Sequence, residues 1–395
     1  MRKTYVALIA TAITTSILNP TVAHAAAKIG APCSKPNATS TVTGVSVKCV
    51  KTGSKFTWKK VAAPKPSTKA SATAVPEQAV TFPTSFADLK ANRKRISQAA
   101  WAKVNAAIST NAAKIGTFEI FTGPNTKPYY EDYLKVSTLV SKLFPNTKEP
   151  SSNIVIRYKY EDLTWAEAKV AQLLPKSEIE RLNRDENGRL LSSNCESSRN
   201  SCGGSKQLTT TTGVNVILQG VPASVRASEP EEKERFFTGM LEAHEYFHSF
   251  QRIPLLNKPL EQKDYPPVWF VEGAAEWVQN AVVNGTNFQK YKNYFTLDCR
   301  NSCNSLSQAD IAKILTESTN SYWPNQYDYF LNYSLGSVII ESLVALTNPE
   351  SIVALYDQIA TRIGFEAAFK SVYGTEWKLA VPILAEVAFL NLQGK

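Results

Sequence analysis

Leu241-Glu242-Ala243-His244-Glu245-Tyr246-Phe247-His248 is the stretch from which the reading of this chain grows. Its two histidines are spaced i and i+4. On a helix such residues lie one above the other on one face. Two imidazole nitrogens can then reach one tetrahedral metal ion. Glu245, one position after the first histidine, can stand beside the ion's water as a general base. Phe237, Met240, Leu241, Phe247 and Gln251 bracket the pair, so the stripe is expected to point into the protein. The bland alternative is two core histidines satisfied by hydrogen bonds. The chain has three histidines, and His24 falls in a segment expected to be removed. The two that remain sit at metal-ligand spacing, which favours the metal.

A site with two histidines and a water needs one more protein ligand, and no histidine is left to supply it. Downstream lies Trp269-Phe270-Val271-Glu272-Gly273-Ala274-Ala275-Glu276-Trp277. Glu272 and Glu276 are again i and i+4, on a helix too apolar to be a solvated face. One of them can bind the metal. The other can accept a hydrogen bond from a ligand histidine and fix its ring.

These segments resemble the gluzincin metallopeptidases, the zincin branch that includes thermolysin-like and aminopeptidase-N-type enzymes. H-E-Y-F-H matches their metal helix. W-F-V-E-G-A-A-E-W is similar to the aminopeptidase-type W-x-x-E-G-x-A segment. The resemblance implies one zinc ion held by His244, His248 and Glu272, with Glu245 as base and Glu276 orienting the first histidine. Tyr333-Ser334-Leu335-Gly336 is similar to the family's Tyr-x-x-Gly segment, which implies an oxyanion-stabilising role for Tyr333. The similarity covers about residues 230–340. It departs from the aminopeptidases in a spacer of 23 residues between His248 and Glu272, longer than in their compact members. No G-x-M-E-N segment precedes the metal helix. Residues 214–218 (VNVIL) stand near that place, which favours an endopeptidase with an extended substrate laid along an edge strand. A peptide or protein substrate is what the resemblance implies. A hydrolase of another bond, or a non-catalytic surface protein with a relic or structural metal domain, is the alternative.

The N-terminus reads as an export signal. Arg2 and Lys3 precede a mostly apolar run at 5–18 and a small-x-small site at Ala23-His24-Ala25, so residues 1–25 are expected to be cleaved near Ala25. The run is short for a membrane anchor, which needs roughly 20 apolar residues. Six cysteines fall into local pairs, Cys33 with Cys49, Cys195 with Cys202 and Cys299 with Cys303, and an exported chain would bridge them. The net charge of +10 is unevenly placed. Residues 26–80 hold nine lysines and one acid, Glu77, while the rest of the mature chain is balanced. A basic arm outside the membrane suggests an anionic cell-envelope polymer as partner; a merely solvated tether is the alternative. Export argues against nucleic acid. The protein is expected to be secreted or envelope-associated.

The rest of the pattern gives the organisation. Residues 27–60 read as a small β-rich module stapled by Cys33–Cys49, and 61–80 as a Pro/Ala/Ser/Lys linker. The main domain, 81–395, reads as α+β, a zincin-like domain with a mixed lobe followed by a helical lobe. Helices are expected at 98–113, 131–143 and 164–174, and strands at 117–121, 153–160 and 214–218. Residues 183–210 read as a stapled polar loop. One helix is expected over 231–251, then others at 268–283, 307–317, 327–346, 350–359 and 377–392.

Overall fold

The computed structural model describes residues 28–34, 36–42, 45–60, 81–226, 230–299 and 303–394. The expected leader at 1–25 and linker at 61–80 lie outside the described residues. The chain divides into two compact units, residues 1–78 and 79–395.

In the first unit, β1 (Thr39–Val42), β2 (Val45–Thr52) and β3 (Lys55–Lys60) form an antiparallel sheet in that order. Alternation along β2 buries Val47 and Cys49 and turns Lys48 outward. A Cys33–Cys49 disulfide closes the module. So small a sheet has little core of its own, and the bridge supplies cohesion.

The second unit is mixed α/β, and the described residues are about 53% helical. It opens with α1 (Phe86–Leu89) and α2 (Ile96–Thr110). Then β4 (Thr117–Thr122), α3 (Tyr133–Leu143) and β5 (Ser152–Tyr158) make a parallel crossover. After α4 (Leu163–Leu173) and α5 (Lys176–Asp185), the short hairpin β6 (Cys195–Glu196) and β7 (Ser201–Cys202) carries the second disulfide. β8 (Ser205–Thr209) and β9 (Asn215–Gly220) complete the four-stranded sheet, in the order β4-β5-β9-β8.

Two expectations fail in this half. VNVIL lies in β9, which is internal, paired to β5 in parallel and to β8 in antiparallel fashion. Its apolar centre, Val216-Ile217-Leu218, and the burial of all six of its residues are what packing on both faces requires. The edge beside it is β8, inside the stretch read as a loop. Its S-K-Q-L-T sequence is polar, and all five of its residues are only half-buried. The same stretch also hid the end of α5, whose few apolar residues, Ile179 and Leu182, are outnumbered by charges.

The helical half begins with α6 (Pro230–Phe237) and α7 (Met240–Arg252), where one helix was expected. Gly239 breaks it, with φ of 90°. A Cβ there would stand 2.7 Å from Val136 Cγ1. A left-handed turn in that space requires glycine. Then follow α8 (Val268–Asn284), α9 (Phe288–Asp298), α10 (Gln308–Glu317), α11 (Leu331–Leu346), α12 (Glu350–Ile359), α13 (Gly364–Tyr373) and α14 (Trp377–Leu392). α9 and α13 were not foreseen. α10 is capped by Ser307 and Asp310 in a reciprocal capping box. α11 starts later than expected, because the Asp328 side chain accepts from the Phe330 N–H and holds the chain in a turn. The third bridge, Cys299–Cys303, follows α9.

The closest helix contact is α8 against α11. A Cβ on Gly273 would meet the carbonyl carbon of Gly336 at 2.4 Å. A Cβ on Gly336 would meet the Trp269 carbonyl oxygen at 2.5 Å. The two backbones touch where both glycines lack side chains. Trp269, Phe365, Phe369 and Trp377 pack in the core nearby, with the two indoles stacked at 5.6 Å.

Candidate metal centre

α7 presents His244, Glu245 and His248, and α8 runs beside it with Glu272 and Glu276. The donor atoms converge. Glu272 Oε2 lies 3.4 Å from His244 Nε2 and 3.5 Å from His248 Nε2. These three residues offer ligand atoms all within 4.8 Å of one another. The spacing discriminates between two readings. Charge-assisted hydrogen bonds would draw nitrogen and oxygen to about 2.8 Å. Tetrahedral bonds of about 2.0–2.1 Å to one zinc ion put neighbouring donors about 3.3–3.4 Å apart. The two nitrogen–oxygen separations match the edge of a coordination tetrahedron, and two imidazoles with a carboxylate are a donor set that suits zinc.

Other groups hold the ligands from behind. His248 Nδ1 lies 2.7 Å from Gln251 Oε1, and Gln251 Nε2 donates to the Val271 carbonyl. Gln251 therefore ties α7 to α8 and accepts from Nδ1, leaving His248 Nε2 as the metal-facing atom. Glu276 Oε2 stands 3.6 Å from His244 Nδ1. Its other oxygen accepts from Gln279 Nε2 and the Tyr294 hydroxyl. Glu276 is 3% exposed and fixed from both sides. Gln251, Gln279 and Tyr294 were not singled out from the sequence. Only the place of Gln251, one helical turn after His248, offered a signal.

The charges of this cluster are interdependent. Burial works against a proton on His244, but Glu272 and Glu276 outweigh it and lift the imidazole to about 9. Burial likewise works against ionised Glu272 and Glu276. The facing histidines, His248 and His244 for Glu272 and His244 for Glu276, hold both carboxyls below the usual range. Glu245 is 5% exposed and accepts no hydrogen bond among the described residues. It follows His244 directly in the helix and stands outside the three donors.

Tyr333, on the first turn of α11, comes to the same place. Its ring stacks on His244 with centroids 5.8 Å apart and planes 23° from parallel. Burial, and then the Glu272 charge, push its hydroxyl well above the ordinary tyrosine range, so it is a donor at any physiological pH. Tyr329 and Phe330 lie against it, and Phe330 is 69% exposed. They make an aromatic rim that the sequence reading did not anticipate.

All of the expected site residues, His244, Glu245, His248, Glu272, Glu276 and Tyr333, are thus brought together. The cysteines pair as expected. Cys202, Cys299 and Cys303 are buried core members rather than exposed loop staples. Three disulfides fit an extracytoplasmic setting. Among the described residues no single helix is long and apolar enough to cross a membrane. Compared with family models, with curated proteins and with solved structures, the chain shows no match.

Proposed function

We propose that the main domain is a zincin-like metallopeptidase domain and that the chain is an exported zinc-dependent hydrolase, most simply an endopeptidase. The observation that carries this reading is the tetrahedral-edge spacing of His244, His248 and Glu272 with Glu245 left unbonded beside them. A structural zinc is usually closed by four protein ligands. Three ligands with an uncommitted carboxylate suit an open, catalytic position.

A zinc ion bound there would supply Lewis-acid polarisation of a carbonyl and a water of lowered pKa. Glu245 takes a proton from the attacking water and passes it to the leaving amine. Tyr333 donates to the oxyanion of the tetrahedral species, a contribution of about 3 kcal/mol where such donors have been removed elsewhere. Glu276 and Gln251 keep both imidazoles with Nε2 forward. With β9 internal, the edge strand beside it that an extended peptide would pair with is β8.

The first unit fits an anionic envelope polymer. Lys48 and Lys59 face each other across β2 and β3, both exposed. Like charges directly opposite are unfavourable unless an anion lies over them.

Metal analysis combined with profiling of cleavage sites tests the reading, using wild type and Glu245→Gln. The variant is expected to keep its metal and to lose turnover by about 100-fold or more. Turnover that survives the substitution would remove Glu245 from its role. Stoichiometric metal with no peptide cleaved by wild type would favour a non-catalytic surface protein.

A further inference from the structure

β8 is an edge of the sheet, and the register settles which of its backbone groups face outward. The Gly220 N–H donates to the Gly204 carbonyl and the Thr210 N–H to the Val214 carbonyl, so the even-numbered residues bond to β9. Gln207 and Thr209 therefore turn their backbone groups away from the sheet. The Thr209 carbonyl accepts from Arg181 Nη2 at 2.9 Å. The Thr209 N–H and the Gln207 N–H and C=O make no hydrogen bond among the described residues. Side chains at these two positions share the face of the sheet that packs on α7. Ile217, the partner of Gln207, is buried with Phe247 and Phe250, whereas Val216, the partner of Leu208, is buried with Leu182 of α5. A peptide added to this edge alternates in the same way, so its residue opposite Thr209 turns its side chain toward the end of α7.

Beside that edge lies a cavity of about 540 Å³, bounded by α5, by β8 and by the end of α7 with the turn after it. Its acids are committed. Asp185 Oδ2 pairs with Arg181 Nη1 at 3.2 Å, and Glu186 pairs with Lys206. Arg252, one helical turn after His248, and Lys258 line the same cavity and are exposed. Neither side chain forms a hydrogen bond or ion pair among the described residues. Asn257 Nδ2 donates to the Thr211 carbonyl at 2.9 Å, which holds the turn bearing Lys258 against the end of β8. Open backbone on one wall and two uncommitted cations on another set the chemistry of the occupant.

We propose that this groove takes an extended acidic peptide, paired to β8, with an aspartate or glutamate opposite Thr209 reaching Arg252 and Lys258. As a substrate preference this rests on the endopeptidase reading. α7 runs along β8: Glu242 accepts from Gln219, the partner of Ser205, and Arg252 lies at the Thr209 end. A peptide in the more stable antiparallel pairing passes Thr209 before it reaches His248 and His244. The acid therefore lies on the amino-terminal side of the cut.

Fluorescein-labelled decapeptides of serine, threonine and valine, with one glutamate scanned through the middle positions, test this against the mature chain carrying Glu245→Gln, which is expected to bind without turnover. Fluorescence anisotropy should find a glutamate position that binds about 3- to 10-fold more tightly than its glutamine counterpart, as two solvent-exposed charge contacts allow. The double variant Arg252→Gln/Lys258→Gln should erase that difference, with an unchanged unfolding midpoint to show that the fold is intact. Wild type should cut the same peptides on the carboxyl-terminal side of the glutamate. The proposal is overturned if no peptide binds at about 1 mM, if glutamate and glutamine peptides bind alike at every position, or if the double variant keeps the preference. Preferred binding of glutamate peptides without any cleavage by wild type would uphold the groove and sink the hydrolase. Cleavage indifferent to the glutamate would do the reverse.

Discussion

The contact between Gly273 and Gly336 gives the sharpest test of how this site is assembled. Gly273 follows the expected ligand Glu272, and Gly336 lies one helical turn after Tyr333. Replacing Gly273 by alanine puts a methyl group 2.4 Å from one backbone atom of Gly336 and 2.5 Å from another. Ordinary contact begins at 3.4 Å. The obstruction is backbone, not the end of a flexible side chain, so α8 and α11 must part by about 1 Å. Overpacking of that kind costs about 1–3 kcal/mol. The better helix propensity of alanine returns about 1 kcal/mol. The strain sits at the upper end of its range because neither helix can rotate the clash away, so a net loss of about 1–2 kcal/mol is expected. In a domain of this size that lowers the unfolding midpoint by a few degrees. The second effect is larger in consequence. A shift of about 1 Å in Glu272 exceeds the roughly 0.2 Å tolerance of metal–ligand bonds. Zinc affinity should fall by at least about 10-fold. Thermal unfolding by circular dichroism, with and without zinc, reads the first effect, and competition against a chromophoric chelator reads the second. Wild-type values for both in Gly273→Ala would refute the backbone contact and with it the account of how Glu272 is placed.

Two further outcomes follow from the ligand supports. Gln251→Leu removes the acceptor for His248 Nδ1 and should weaken zinc binding about 10- to 100-fold with a smaller change in stability, measured by the same competition. Zinc uptake should also depend on pH. His244 is lifted to about 9 in the metal-free fold, so below that value a bound metal must displace its proton. Affinity should therefore rise about 10-fold per pH unit from about 7 and level off above about 9. The stability of the metal-free fold should run the other way. The raised imidazole contributes fully below its unfolded value near 6.5, and that contribution is lost as pH rises to about 9. Titrations of zinc affinity and of unfolding midpoint with slopes of the same sign would contradict the pairing of His244 with Glu272 and Glu276.

What could be read in advance depended on how local the physics was. Helical spacing alone places His244 beside His248 and Glu272 beside Glu276, because one helical turn decides both. The cysteine pairs were legible for the same reason, each lying close in sequence. The break at Gly239 was not, because its left-handed backbone answers to Val136 and Tyr130 on another element. β8 was missed because an edge strand needs little apolar sequence of its own. β9 was assigned as a strand but misplaced in the sheet, since neither neighbour is visible in V-N-V-I-L. Gln251 looked like one more residue of a buried face. Its role appears only when the Val271 carbonyl on α8 and the ring of His248 are both in view.

The balance of charge carries the argument for a cation one step beyond the donor spacing. Glu245, Glu272 and Glu276 surround two imidazoles in a region with little solvent. In the metal-free fold the nearby positive charge must come largely from protons, and the lift of His244 to about 9 expresses that demand. A structural cluster evolved without a metal would be expected to meet it with a lysine or arginine forming ion pairs. None among the described residues pairs with these carboxylates; Arg235 acts on Glu276 only through its field. A divalent ion meets the same demand with both of its charges at once. It needs Nε2 of both histidines unprotonated, and Gln251 and Glu276 are placed at the Nδ1 atoms to secure that. It needs one carboxylate as a ligand, and Glu272 stands at the required distance. It leaves Glu245 without a partner, which is unfavourable for a purely structural site and useful for one that moves a proton.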